Sequence, residues 1–341
     1  MNKNVFYFKK INSIGGVESF YYYLSKLYDD FIIYYKEADP EQVKRLAERV
    51  EVRKFKEEPI ECERFFCNYA YDIDGYVNAK EYYYIIHYDS VASGLKPTLY
   101  DGFKYIAVSK LAQKSFETTM GIKPELIYNP VVVEKRPFEK YNDGKIHILC
   151  ATRLSKEKGG ENIIKLAQMS EDFIIDVYSN RRLYRIPPNI ILHEPKLDLT
   201  EEMTRADYVA QLSRYEAFGL TPCESLMLGT PVIVTDLEAF KEIGCKHGEN
   251  AIICDKEMKN VDVEMIKKGL PEFTYTPPKS NWGKYLSKTG KYDPNKKVKV
   301  RTLKRYTDIE IGHLDRGNIA TMRIARASYL EAKGLVERIW K

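Results

Sequence analysis

Two glutamates, Glu216 and Glu224, stand eight positions apart in the stretch Arg214-Tyr215-Glu216-Ala217-Phe218-Gly219-Leu220-Thr221-Pro222-Cys223-Glu224. The residues between them read as a turn that begins a helix. Thr221 can cap it, Pro222 suits the first helical position, and Gly219 lets the backbone come close to a ligand. Free amides at such a helix start favour an anion, a phosphate for example. A carboxylate in turn accepts hydrogen bonds from vicinal hydroxyls, as on a sugar or a ribose. With Glu216 in the loop and Glu224 in the first helical turn, both facing one pocket, the pattern predicts a site that holds a nucleotide by its phosphate and a polyol at each end.

Other residues could join that chemistry. Ahead of the glutamates, a buried strand over 146–151 feeds the basic loop Thr152-Arg153-Leu154-Ser155-Lys156-Glu157-Lys158-Gly159-Gly160. Arg153 offers a planar fork and Lys158 a point charge, a pair suited to a diphosphate, with Lys156 as the alternate. Near the start, Gly15-Gly16 lies between a strand and a helix, where backbone amides can approach a phosphate or a sugar. His87 ends a predicted strand, at the edge where open α/β sheets bind ligands, and Asp89 follows it as a residue that could face an acceptor. The six cysteines are scattered without Cys-x-x-Cys pairs or histidine spacing for zinc, so reduced, buried thiols and no metal site are expected.

The elements that must position these residues alternate. Strands over 5–8, 31–35, 50–55, 81–87 and 105–109 intersperse with helices over 19–28 and 40–49 and one capped by Ser109, which predicts a parallel sheet wound with helices. A charged, proline-containing segment over 134–144 reads as a linker. A second set of strands follows over 146–151, 173–178, 190–192, 232–236 and 248–253. Domains are expected at 1–135 and 144–280, with a crossover helix and linker at 281–294 and a basic module at 295–341. At 341 residues, 44% hydrophobic and 30% charged, the chain has the composition of a soluble globular protein. It has no apolar run long enough to span a bilayer and no signal peptide, so a cytoplasmic location is expected. The aromatic runs Phe20-Tyr21-Tyr22-Tyr23 and Tyr82-Tyr83-Tyr84 are expected to pack rather than to stack on sugars. The basic excess is confined to the tail: residues 286–341 carry 14 lysines and arginines against 6 acids, while the chain as a whole is only +5.

The central stretch resembles the donor-site signature of retaining GT-B glycosyltransferases, glycosyltransferase family 4 (group 1), whose pattern is Glu, seven residues, Glu. Ser213, Phe218-Gly219-Leu220, Gly229-Thr230-Pro231-Val232 and Glu242, placed at the next helix start, fall where that family puts them, as do the Arg153-to-Lys158 spacing and the Gly15-Gly16 loop. The resemblance covers about residues 1–288. It implies an α/β fold of two Rossmann-like domains facing a cleft, an acceptor domain and a nucleotide-sugar donor domain. It implies transfer of a sugar, from a UDP-sugar in the favoured case, to an acceptor hydroxyl with retention. Glu216 would contact the transferred sugar with His87 near it, Glu224 the ribose, and Phe218, Gly219, Leu220, Gly15 and Gly16 the rest of the donor. Arg153 and Lys158 would clamp the diphosphate in place of a metal, the loop after Tyr178 would meet the base, and no side chain is assigned as general base. Residues 280–286 resemble the terminal helix that returns to the first domain.

The tail after Asn295 lies outside that pattern. A strand over 298–303 and a helix over 323–333 that ends at Gly334, before Leu335-Val336-Glu337-Arg338-Ile339, describe a small α+β module that resembles one attached to bacteriophage proteins, with the host cytoplasm as its setting. Its charge suits an anionic partner, nucleic acid included, or an assembly role. Two rival readings follow: a glycosyltransferase acting on modified bases of phage DNA, and a non-catalytic nucleotide-sugar-binding or virion-associated protein.

Overall fold

The computed structural model describes residues 2–68, 71–180 and 186–339. By proximity of Cα atoms the chain falls into one unit of residues 1–87, 98–106 and 281–341 and a second of residues 88–97 and 107–280.

The chain begins β1 (Asn2–Ile11), α1 (Gly16–Leu27), β2 (Phe31–Ala38), α2 (Pro40–Ala47), β3 (Glu51–Lys54), β4 (Ile60–Cys67) and β5 (Val77–Ile86). After α3 (Ser90–Ser93) come β6 (Phe103–Ala107), α4 (Lys110–Met120) and β7 (Glu125–Leu126). The sheet order is β3-β2-β1-β4-β5-β6-β7, with parallel pairing through its first five strands. Val5, Phe6, Tyr7 and Phe8 are all buried, as a central parallel strand covered on both faces requires. Strand β4 escapes sequence reading because Glu61, Glu63 and Arg64 interrupt its apolar residues without a period of two.

The aromatic runs do pack. Phe20, Tyr21, Tyr23, Tyr83 and Tyr84 are buried. Phe6 stacks on Phe66 at 4.5 Å, Phe66 stacks on Tyr83 at 4.8 Å, and Trp282 meets the edge of Phe20 at 5.4 Å. Trp282 is fully buried, and its removal to alanine would cost about 3–5 kcal/mol. The segment that carries it is a single 3-10 turn, Trp282–Lys284, rather than the returning helix expected there.

In the second unit, β8 (Ile146–Ala151), α5 (Gly160–Gln168), β9 (Phe173–Tyr178), β10 (Ile190–His193), α6 (Thr200–Arg205) and β11 (Tyr208–Gln211) are followed by α7 (Leu220–Leu228), β12 (Val232–Thr235), α8 (Glu238–Glu242), β13 (Ala251–Cys254) and α9 (Val263–Lys268). The sheet is parallel, in the order β10-β9-β8-β11-β12-β13. Ile163 and Leu166 of α5 cover one face and Phe218, Leu226 and Phe240 the other. This places the carboxyl ends of β8, β11 and β12 together, where the basic loop and the glutamate loop emerge.

The tail forms β14 (Lys297–Thr302), β15 (Tyr306–Asp308), β16 (Gly312–Leu314), β17 (Ile319–Arg323), α10 (Ile324–Ala332) and β18 (Val336–Arg338). An antiparallel sheet β17-β14-β18 lays Val300, Met322 and Val336 against α10, and β15 pairs with β16 as a hairpin. The expected strand and helix are present as β14 and α10, and β15, β16, β17 and β18 add to them. The module is seated on β3: Ser328 Oγ and Arg338 Nη2 donate to the Val52 carbonyl at 3.0 and 2.7 Å. Glu331, buried beneath them, accepts from Arg338 at 2.6 Å and pairs with Lys56 at 3.1 Å. Burial alone would raise the Glu331 carboxyl; Arg338 and Lys56 outweigh it and hold it below the ordinary carboxylate range.

Candidate functional site

Two loops of the second unit are stitched together at the ends of β8 and β11. Gly159 caps α5 with φ 75°, and a Cβ on it would lie 1.9 Å from the Leu212 carbonyl oxygen. Only glycine permits that backbone approach. The Arg214 N–H donates to the Glu157 carbonyl at 2.8 Å, and the buried Asn162 side-chain amide donates to the Leu212 carbonyl at 3.3 Å. Thr235 Oγ1 donates to the Ser213 carbonyl at 2.6 Å, which fixes the second loop from β12.

That stitching sets Lys158 against Glu216, Nζ to Oε1 at 2.7 Å. The same oxygen accepts from Ser213 Oγ at 2.8 Å and from Gln211 Nε2 at 3.2 Å, and Gln211 Nε2 also donates to Ser213 Oγ at 2.7 Å. Lys158 and Glu216 are 20% and 15% exposed, dry enough for the pair to be stronger than a surface ion pair and open enough to reach a ligand. Arg153 is not brought onto this pair. Its guanidinium rests on Glu157 at 3.2 Å with most of its surface in solvent, and Lys156 is exposed.

Helix α7 starts two residues earlier than the sequence pattern suggests. Gly219, at φ 99°, is its N-cap, so Thr221 and Pro222 lie inside the first turn. A Cβ on Gly219 would come within 2.9 Å of the Phe240 ring. Phe218 is buried and Leu220 half-buried beside it, and Glu224 is half-buried one residue past the first turn. Glu242 does not begin a helix: it ends α8, and its two oxygens accept the Lys110 and Leu111 N–H groups at 2.6 and 3.1 Å, at the start of α4. Ser109 caps α4 as expected, accepting from Ala112 N–H at 3.0 Å. Asp89 is a cap as well, taken up by Ala92 N–H and by Ser115 Oγ rather than presented to an acceptor.

In the first unit, Gly15 is extended at φ 171° and precedes α1. A Cβ there would meet Glu18 Oε2 at 2.2 Å. Glu18 is buried, and its other oxygen accepts the Asn12 N–H at 2.8 Å and the Asn12 side-chain amide at 3.0 Å. Gly16 is exposed. His87 packs edge-on against Phe20 at 4.9 Å, and burial pushes its pKa down to about 3, so the ring is neutral.

With this geometry in place, likenesses to known proteins become informative. Residues 132–281 match the family model described as glycosyl transferases group 1. The chain is similar in structure to Anabaena HepE in complex with UDP and glucose, at 16% identity and a TM-score of 0.59 over 79% of this chain and 89% of that one. The fold is GT-B. A glycosyltransferase from Rickettsia africae ESF-5 aligns at 13% identity and a TM-score of 0.56, over 79% of this chain and 89% of that one. The sucrose-phosphate synthase of Thermosynechococcus elongatus aligns at 12% identity and 0.54, over 78% and 89%. No curated protein sequence matches the chain.

Within this GT-B chain, sequence reasoning passed over Gln211 as a donor to Glu216, Ser213 beyond its flanking position, and Glu18 beneath Gly15. The period-two spacing of Gln211 and Ser213 at a strand end was the available signal. Residues 181–185 of the loop after Tyr178, expected to meet the base, lie outside the described residues. Among the described residues, no cluster of three or more His, Cys, Asp or Glu side chains is arranged to hold a metal ion. The six cysteines are buried and unpaired by disulfides, and burial raises their thiols far above neutrality. Among the described residues no helix is long and apolar enough to cross a membrane.

Proposed function

We propose that the protein is a group 1 glycosyltransferase that moves a sugar from a nucleoside-diphosphate sugar to an acceptor hydroxyl with retention of configuration. The observation that carries this reading is the Lys158–Glu216 pair, with its Ser213 and Gln211 supports, inside the segment that matches the family model. Without ligand, the ammonium is neutralised by Glu216. A donor diphosphate offers Lys158 a denser negative charge, and its arrival frees Glu216 to accept hydrogen bonds from sugar hydroxyls. Arg153, exposed on Glu157, turns onto the same diphosphate, and the α7 amides at Gly219 add their partial charge. Glu224 takes the ribose hydroxyls.

In the transfer, the bond from the anomeric carbon to the diphosphate oxygen breaks and one to the acceptor oxygen forms. The acceptor proton passes to the departing phosphate oxygen on the same face, so no protein base is needed. Arg153 and Lys158 stabilise the charge that grows on the leaving group, which makes a metal unnecessary. The similar Anabaena protein was solved with UDP and glucose, which favours a UDP-sugar as donor.

The test is release of nucleoside diphosphate from UDP-, GDP- and ADP-sugars across a panel of acceptors, with and without EDTA. One donor is expected to turn over regardless of EDTA, and Lys158→Ala is expected to lower turnover at saturating donor by about 10²–10³-fold, as for removal of one preorganised charge-stabilising donor. An α-configured product from an α-linked donor, read by NMR, supports retention. Undiminished turnover in Lys158→Ala would remove the clamp, and a donor that raises Tm without being consumed would reduce the protein to a binder.

A further inference from the structure

The C-terminal module has one sheet face against α10 and the other turned outward. Val300 and Met322 point inward and are buried; Lys297, Lys299 and Arg301, at alternate positions on β14, point the other way and are exposed. Lys297 is paired across the ladder with Arg323, and Arg301 with Ile319. The module's acids do not neutralise this face as a whole. Glu331, Asp308, Glu310, Glu337 and Asp315 are engaged by Arg338, Arg326, Arg323, Arg301 and Arg305. The positive excess therefore resides in Arg316 and the lysines, and among the described residues Lys297 and Lys299 make no ion pair.

Exposed aliphatic side chains adjoin those cations. Ile309, at the tip of the β15–β16 hairpin, is 86% exposed, Ile319 is 53% exposed, and Ile311 and Leu303 are also exposed. Arg323 donates to Glu310 at 3.1 Å and to Glu48 at 3.2 Å, which sets the hairpin tip beside the Lys297 end of the face. Nucleic acid would use the cations but has no use for the isoleucines, and among the described residues this face carries no aromatic side chain for a base to stack on. An anionic bilayer uses both, cations at the headgroups and aliphatics just below them. We propose that this face docks the protein on an anionic lipid surface. The inference is independent of the glycosyl-transfer reading.

Full-length protein would be sedimented with phosphatidylcholine vesicles, with or without 30% phosphatidylglycerol, and titrated into labelled single- and double-stranded oligonucleotides. Binding is expected only to the anionic vesicles. Lys297→Glu with Lys299→Glu is expected to weaken it more than tenfold, given roughly fivefold per cation at such a surface. Ile309→Ser with Ile311→Ser is expected to weaken it severalfold at unchanged Tm, since both side chains are in solvent. No binding to anionic vesicles, or binding indifferent to both variants, would overturn the proposal. Tighter binding to oligonucleotide than to vesicles would replace it with a nucleic-acid surface.

Discussion

The loops at the starts of α1 and α5 need their glycines for different reasons. At Gly159 the requirement is in the backbone: a positive φ and a carbonyl oxygen 1.9 Å from where a Cβ would be. At Gly15 the backbone is extended, a conformation any residue adopts, and the obstacle is the far end of the Glu18 side chain. The second unit thus builds its Gly159 loop on a main-chain contact that cannot yield. The first unit relies on side chains that can. Preorganisation of Lys158 against Glu216 follows from the rigid case, because the carbonyl that excludes a Cβ at Gly159 belongs to the same loop as Glu216.

The largest effect is expected from breaking the rigid loop. Gly159→Ala should destabilise the protein by about 4 kcal/mol or more, since neither φ nor the Leu212 backbone can relax without parting the two loops. Urea unfolding measures it. A loss below about 1 kcal/mol would show that the loops part easily and that Lys158 is not held by this packing.

How far the sequence reveals these loops follows from the same contrast. The basic loop and the glutamate loop were legible because glycines, a proline and charged residues at fixed spacing announce turns and anion chemistry. The turn of Gly219 into α7 was displaced, because Gly219 takes the cap position through a positive φ that Thr221 cannot adopt at low cost. The role of Asp89 is hidden for a related reason: it is a carboxylate near a helix start, and sequence does not say whether a ligand or a backbone N–H takes its lone pairs. The buried Glu331–Arg338 pair was invisible since its two residues, seven apart, meet only after β18 folds back along α10 beside β3. Without that contact the tail reads as a basic module of its own.

A second, smaller effect probes the side-chain-based unit through pH. Burial against Phe20 holds His87 at a pKa of about 3, below its ordinary 6.5. The unfolded chain binds a proton that the folded chain refuses. Stability from this group is therefore full above about pH 6.5, falls as pH drops, and levels off near pH 3. The loss should reach about 2 kcal/mol by pH 5. His87→Phe should remove that part of the acid sensitivity, so the difference in unfolding free energy between wild type and variant should shift by this amount between pH 7.5 and pH 5. An unchanged difference would mean that water reaches the ring and that this pocket is not dry.

The smallest effect is the sharpest on the comparison itself. Gly15→Ala must expel the Glu18 carboxylate from beneath the loop and with it the hydrogen bonds to Asn12, a loss of about 1 kcal/mol. Glu18→Ala forfeits the same bonds by itself. If the obstacle is only that carboxylate, then adding Gly15→Ala to Glu18→Ala should be neutral, or stabilising by about 0.5 kcal/mol because alanine narrows the unfolded ensemble where the native φ suits it. The two substitutions would then show a coupling of about 1 kcal/mol, which a double-mutant cycle in urea resolves. An equal penalty for Gly15→Ala in both backgrounds would mean that the backbone itself demands glycine, and the first unit's loop would be as unyielding as the second's.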